Sequence, residues 1–295
     1  MDRDEELRTA CFDALTGLRQ WFLDEIPYRG ALDAGFQFQG RRVPFLNYQK
    51  GIYRAAVQHG PAALSINTSY DSPYDDQSLV DGFAYAYRSG DPDQPDNRAL
   101  RAAWALQAPL AYFVASRPGW YQALYPCYLT HDSPAERMVI VSVGHMLGRQ
   151  PQLPAEQVER VYTVRTARQR LHQGRFRGLV LPAYRDQCAI CRLKETRLLD
   201  AAHIIRDSDP EGVAAVRNGL SLCTIHHRAF DQNLVGVSPD YQVKVAGRLL
   251  DDEDGPMLDL LKGFHDTTIF LPREPRRPDR DRLALRFDEF EAAAA

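Results

Sequence analysis

The chain has 295 residues, enough to bury substantial cores and, by length, to form about two domains. Its composition, 44% hydrophobic and 25% charged with 19 Gly and 19 Pro, is that of an ordinary soluble protein, and a net charge of −3 argues against general adhesion to nucleic acid. The acidic, amphipathic start MDRDEELRTACFDALTGLRQWFLDEI lacks the basic and apolar regions of a secretory signal, and no uncharged apolar run reaches the roughly 20 residues of a membrane span, so a cytoplasmic protein with reduced thiols is expected.

Leu7, Cys11, Leu15, Leu18 and Phe22 recur at helical spacing and predict an amphipathic helix over about 4–25. From about 40 to 145 short apolar and aromatic runs (AALSINTSY, GFAYAYRS, PLAYFVAS, WYQALYPCYL, RMVIVSVG) alternate with turn clusters such as SGDPDQPDN. That alternation predicts a mainly β domain, a barrel or sandwich, interrupted by the helical patch NRALRAAWALQA. GRQPQLPAEQ, near 148–157, reads as a linker. A basic, partly helical segment follows, with seven Arg and no Asp or Glu from Arg160 to Arg185. Acidic residues gather instead in the first helix and around Asp251–Asp254. The organisation expected is a first domain over 1–150, a basic linker over 151–180 and a cysteine-bearing module over 181–295.

Of five cysteines, Cys11 and Cys127 have no partner pattern and read as small core residues. The other three have metal-ligand spacing. Cys188-Ala-Ile-Cys191 is one knuckle, and Cys223-Thr-Ile-His226 is a second after 31 intervening residues. A lone C-x2-C fits a redox dithiol equally well. Two knuckles supply four sulfur and nitrogen donors and point to structural Zn²⁺.

The stretch between the knuckles holds Asp200-Ala-Ala-His203, then Asn218-Gly-Leu-Ser-Leu-Cys223, then His226-His227-Arg-Ala-Phe-Asp231. In this order the residues resemble the HNH (ββα-metal) nuclease family, in the subgroup ending N-G-L-x-L-C-x-x-H-H-x-x-F-D, over about 180–250. The resemblance implies a β-hairpin followed by a helix, one catalytic divalent ion such as Mg²⁺ or Mn²⁺, and phosphodiester hydrolysis. His203, Asn218 and His227 occupy the three name-giving positions. An imidazole neutral near pH 7 suits His203 to general base. The Asn218 amide can hold that imidazole or the loop bearing it.

In a helix beginning near Cys223, successive side chains point about 100° apart, so His226 can turn to the zinc while His227 faces a cleft. His227 is then a ligand of the catalytic ion, with Asp231 on the same face as a second ligand or an orienting partner. One departure stands out. Many family members carry an Asp ligand immediately before the general-base His, and here the residue is Ala202. Asp200, two residues back and on the same strand face, is the candidate substitute.

The segment from Tyr74 to Gly90, YDDQSLVDGFAYAYRSG, resembles the SET- and RING-associated (SRA) family. Members flip 5-methylcytosine from DNA into a pocket, and the resemblance assigns Tyr74 and Tyr87 as the stacking pair and Asp76 as acceptor for the exocyclic amine. Extrusion costs a few kcal/mol, which stacking and a polar contact offset. Asp81 and Arg88 depart from the family pattern, and alternating aromatics also suit a half-buried strand. Lys50 and Arg54 in FLNYQKGIYR are candidate DNA contacts or, equally, part of a turn and helix start. Arg168, Arg170, Arg175 and Arg177 are expected to track phosphates.

Together the resemblances imply an α+β chain: an SRA-like β-barrel domain with a leading helix, and a zinc-stapled ββα-metal module. The function implied is a type IV, modification-dependent restriction endonuclease acting on double-stranded DNA bearing 5-methylcytosine. One metal centre nicks one strand, so a double-strand cut needs a homodimer or two binding events. Two alternatives stay open: an HNH nuclease without methyl reading, and a non-catalytic zinc-stabilised DNA-binding protein.

Overall fold

The computed structural model describes residues 2–22, 25–70, 78–79, 82–144, 154–253 and 255–294. The chain divides into two compact units, Met1–Gly174 and Arg175–Ala295. It is mixed α+β, and no helix among the described residues is long and apolar enough to cross a membrane.

The first unit opens with α1 (Arg3–Phe22), whose Leu7, Cys11 and Leu15 are buried at the anticipated spacing. Asp4, Glu5 and Glu6 in its first turn and Arg19 in its last complement the helix dipole. Strands β1 (Ile26–Pro27), β2 (Phe36–Phe38), β3 (Arg41–Val43), β4 (Ile52–Tyr53), β5 (Ser65–Thr68), β6 (Ser78–Leu79) and β7 (Gly82–Ala86) precede α2 (Pro95–Ala105). Then come β8 (Leu110–Arg117), β9 (Trp120–Ser133) and β10 (Met138–Val143). β2 and β3 form a separate hairpin, and its turn takes positive φ at Gln39 and Gly40, as a two-residue type I′ loop requires.

The other strands form one sheet in the order β4-β5-β8-β9-β10-β7-β6, with β1 added to β9. β5 runs parallel to β8, and the remaining neighbours are antiparallel. Period-two alternation along β8 feeds two cores. Leu110, Tyr112 and Val114 join Leu100 and Ala103 of α2 on one face, and Ala111, Phe113 and Ala115 join Leu7, Cys11 and Leu15 on the other. Both faces are covered, so β8 reads as a continuous apolar run.

Helix α3 (Pro154–Ala183) is a single 30-residue helix with Pro at its first position. Ala167 and Leu171 pack into the first unit's core, and Phe176, Val180 and Leu181 into that of the second. The second unit continues with β11 (Leu199–His203), β12 (Gly219–Cys223), α4 (Thr224–Asp231), β13 (Val235–Val237) and β14 (Val243–Val245). It ends with α5 (Gly247–Leu250), α6 (Pro256–Lys262) and α7 (Arg280–Ala294). β11 and β12 form an antiparallel hairpin whose second strand runs straight into α4, the hairpin–helix order anticipated above. Leu199, Ala202, Leu220, Leu222, Ala229 and Phe230 supply its apolar seam.

Candidate active site and metal centre

Cys188 and Cys191 lie in a tight turn after α3, closed by Cys188 N–H to Leu193 O (2.9 Å) and Arg192 N–H to Cys188 O (3.1 Å). Ala189 N–H donates to Ser221 O (2.7 Å), tying this knuckle to β12. Cys223 ends that strand as the residue capping α4, which brings His226 back one turn later.

The four donor atoms lie within 4.8 Å of one another. Individual separations are 3.1 Å from Cys223 Sγ to His226 Nδ1, 3.6 Å from Cys188 Sγ to the same nitrogen, and 3.9 Å from Cys191 Sγ to Cys223 Sγ. Zinc bonds of about 2.3 Å to sulfur and 2.0 Å to nitrogen put tetrahedral donors about 3.5–3.8 Å apart, so the cluster fits the ion. His226 Nε2 lies 2.9 Å from Leu260 O on α6. A proton held there leaves Nδ1 as the lone-pair nitrogen that a metal needs.

Burial works against a charged His226, yet hydrogen bonds to Cys188 and Cys223 outweigh it and push its pKa up to about 10. Hydrogen bonds from Cys191 and Cys223 draw Cys188 well below the usual thiol range, whereas Cys191 is pushed above it. The metal-free cluster thus holds protons that a bound cation would displace.

On the hairpin, His203 stands opposite Gly219 and is partly exposed. Asn218 is fully buried. Its Oδ1 accepts from Ile205 N–H (2.9 Å), and its Nδ2 donates to Ile205 O (3.0 Å) and Val213 O (3.1 Å). Ile204 N–H adds a bond to Asn218 O (2.9 Å). These bonds make Asn218 a clamp on the loop leaving His203.

His227, the next residue of α4, meets carboxylates. Its Nδ1 lies 3.4 Å from Asp200 Oδ2 and its Nε2 3.5 Å from Asp231 Oδ2. The hydrogen bond to Asp200 raises the His227 pKa against the effect of burial, and it lowers that of Asp200, with Arg177 adding to the latter. Asp200 and Ala202 alternate onto one face of β11, but Ala202 is wholly enclosed among apolar side chains. The strand offers its carboxylate at 200 and has no room for charge at 202.

The arginines differ among themselves. Arg177 donates from Nε to Leu199 O (3.2 Å) and from Nη2 to Thr196 O (2.6 Å), so it braces the start of β11. Arg170 is exposed and lines a 260 Å³ cleft of the first unit with Arg19, Gln122 and Tyr125. Arg175 is half-buried, and the Arg168 side chain lies outside the described residues.

In the first unit Tyr74 and Asp76 lie outside the described residues. Tyr87 is buried in the core with its hydroxyl donating to Asp132. It also lines a 390 Å³ cleft with Tyr48, Lys50, Asn67 and Tyr85. Lys50 is exposed at that cleft, 3.8 Å from Asp96. The Arg54 guanidinium donates to Gly60 O (2.8 Å) and Gln58 O (3.1 Å), closing the loop that follows β4.

Three contacts have no signal in the sequence. The Leu260 carbonyl carries no side-chain pattern, and the brace from Arg177 is hidden among phosphate-type arginines. The third is Phe176, whose ring stacks on His203 and whose place among the arginines of α3 carries no mark of that contact.

Residues 188–238 match the HNH_2 family, described as HNH endonuclease, so an HNH endonuclease domain occupies this part of the second unit. Comparison with curated proteins gives no match. Among solved structures, a chain titled "Modification dependent TagI restriction endonuclease" is similar at 17% identity and a TM-score of 0.29, covering 82% of this chain and 86% of that one.

Proposed function

We propose that this chain is a modification-dependent DNA endonuclease, with hydrolysis at the β11–β12–α4 site and methylcytosine reading in the first unit. The observation that carries the nuclease reading is the row Asp200–His227–Asp231, built on the strand that ends in His203 and the helix that follows the hairpin, within a segment of HNH type. Carboxylate oxygens and an imidazole nitrogen suit a hard or borderline divalent cation such as Mg²⁺ or Mn²⁺. Such an ion supplies Lewis-acid stabilisation of charge on the phosphate and leaving oxygen.

The two ring nitrogens of His227 face opposite carboxylates, so one ion can share only one of them with His227. Asp200, on the strand that bears His203, would be the co-ligand, and Asp231 would accept the N–H at the opposite edge of the ring. This assignment replaces the missing carboxylate at 202 without burying charge. His203 takes the proton of the attacking water, and Asn218 keeps the following loop fixed while it does so.

The methyl-reading part is supported by the resemblance over 74–90 and by the cleft at Tyr87, whose 390 Å³ lies in the range of small-ligand sites. Tyr74 and Tyr87 are assigned as the stacking pair and Asp76 as the acceptor. Arg170 and Lys50 are the exposed cations offered to phosphates.

The test is cleavage of one plasmid, methylated and unmethylated at cytosine, with Mg²⁺ or Mn²⁺ and a His203→Ala control. Wild-type cleavage confined to methylated DNA and abolished in the variant is expected. Equal rates on both DNAs overturn methyl reading. The enclosed Ala202 favours a second reading, a zinc-held DNA-binding module without hydrolysis, and identical traces from both proteins would rule against hydrolysis through His203.

A further inference from the structure

Helix α3 ends over the hairpin that carries His203. Phe176, 1% exposed, lays its ring on the imidazole with centroids 3.8 Å apart and planes 16° from parallel. Across the ladder from His203 stands Gly219. A Cβ at 219 would lie 2.9 Å from Phe176 Cζ and 2.5 Å from Val180 Cγ2, closer than carbon atoms approach. The backbone there is ordinary extended chain, φ −133° and ψ 143°, which any residue adopts. Space, not conformation, calls for glycine. One position on, Arg177 binds the carbonyls of Leu199 and Thr196, so consecutive residues of one helix hold β11 at its first and last residue.

We propose that Phe176 is a positioning residue for His203: its ring, admitted by the absent side chain at Gly219, fixes the imidazole plane for proton transfer. The inference rests on reading His203 as the general base. A histidine side chain turns about two torsions, and proton transfer tolerates little error in where its nitrogen sits. A stacked ring fixes the plane of the imidazole and leaves its nitrogen-bearing edge clear of the stack. Asn218 and Gly219 then serve the same residue by different means. Asn218 clamps the backbone beyond His203, and Gly219 lets the ring reach its face.

The test uses the full zinc-loaded chain and supercoiled methylated plasmid with Mn²⁺. Phe176→Leu keeps apolar volume and removes the flat face, and Gly219→Ala pushes the ring away. Each is expected to lower kcat by roughly 10- to 100-fold with KM unchanged. In a His203→Ala background, Phe176→Leu is expected to cost nothing further. Unchanged kcat in folded Phe176→Leu overturns the proposal, and so does an equal loss in the His203→Ala background, which marks a general packing effect. Zinc content and melting temperature report folding, and Phe176→Met takes the place of the Leu variant if that unfolds.

A readout independent of cleavage is the ring-current shift of the His203 ring protons, expected upfield in the wild type and lost in Phe176→Leu. Its absence from the wild type overturns the stack itself. A wild type that shows the shift but never cleaves overturns the nuclease reading, and the positioning role with it.

Discussion

His226 and His227 are neighbours in the chain and belong to different sites: Nδ1 of His226 lies 3.1 Å from Cys223 Sγ, and Nδ1 of His227 lies 3.4 Å from Asp200 Oδ2. One step of α4 turns the side chain by about 100°, enough to move it from a closed sulfur cage to a half-open carboxylate row. The two substitutions should therefore have separable effects. His226→Ala removes a ligand from a cluster that contributes Cys188 and Cys223 to the core of the second unit. Structural zinc sites in small domains supply on the order of 10 kcal/mol of binding free energy to folding. Loss of the bound zinc and melting of residues 175–295 is expected for His226→Ala, and for the wild type under a strong chelator. His227→Ala should retain one zinc per chain and its melting temperature. Metal analysis with differential scanning calorimetry checks both.

The pKa of His227 should lie above the usual histidine value, because its hydrogen bond to Asp200 outweighs burial; Asp200 is lowered by the same bond. A raised histidine pKa stabilises the fold fully below the unfolded value, about 6.5, and the contribution is lost as pH rises through the folded value. The lowered Asp200 pKa stabilises above its unfolded value, about 3.9, and is lost as pH falls through the folded one. In the catalytic-ion-free protein the pair is thus at full strength between about pH 4 and 6.5. Binding of a cation to His227 requires its neutral form, so Mn²⁺ affinity should weaken as pH drops through that raised pKa. An NMR titration of the His227 ring should show the raised midpoint, and Asp200→Asn should bring it down. Equal midpoints in the two proteins would remove the pair from the account.

Asn218→Ala should destabilise the second unit and slow cleavage together. The substitution strands the N–H and C=O of Ile205, both bonded to the Asn218 amide in a buried setting, and takes one donor from the C=O of Val213, which keeps its bond from Ala215 N–H. Buried groups left unpaired cost about 1–3 kcal/mol, so a loss of roughly 2–3 kcal/mol is expected. Asn218→Asp should be no milder. A carboxylate can still accept from Ile205 N–H, but its other oxygen would face two carbonyls with no proton to offer. Urea unfolding at constant zinc measures the first effect, and plasmid nicking the second.

The second unit was legible in the sequence because its chemistry is local. Two knuckles and an ordered set of His, Asn and His fix a hairpin and a helix, and β11, β12 and α4 have that form. Helical phase alone separated His226 from His227. What the sequence concealed is what depends on distant backbone or on a face turned inward. The proton acceptor of His226 is a carbonyl 34 residues away, and Asn218 holds the loop because Ile205 offers both a donor and an acceptor at one place. In the first unit the apolar runs became β5, β7, β8, β9 and β10, but no pattern of apolar residues announces the order in which strands pair. Helix α3 was half-read for a different reason: its regular run of arginines looks like an interaction surface whatever those arginines touch.

Arg170 and Arg177 put that last point to a measurement. Both lie in α3 and both suit phosphate binding by type, yet Arg170 is exposed while Arg177 spends its guanidinium on Leu199 O and Thr196 O. A side chain that meets phosphate contributes about one unit to the slope of log affinity against log salt. Arg170→Ala should therefore weaken DNA binding, reduce the slope by about one, and leave stability unchanged. Arg177→Ala should leave the slope intact. It removes the charged donor from the carbonyls of Leu199 and Thr196, the latter still held by Leu199 N–H, and a positive charge near Asp200, so a stability loss of about 1–3 kcal/mol and an upward move of the Asp200 pKa are expected. Binding isotherms at several salt concentrations, beside denaturant melts, distinguish the two, and an equal drop in slope for both variants would return Arg177 to the phosphate-tracking set.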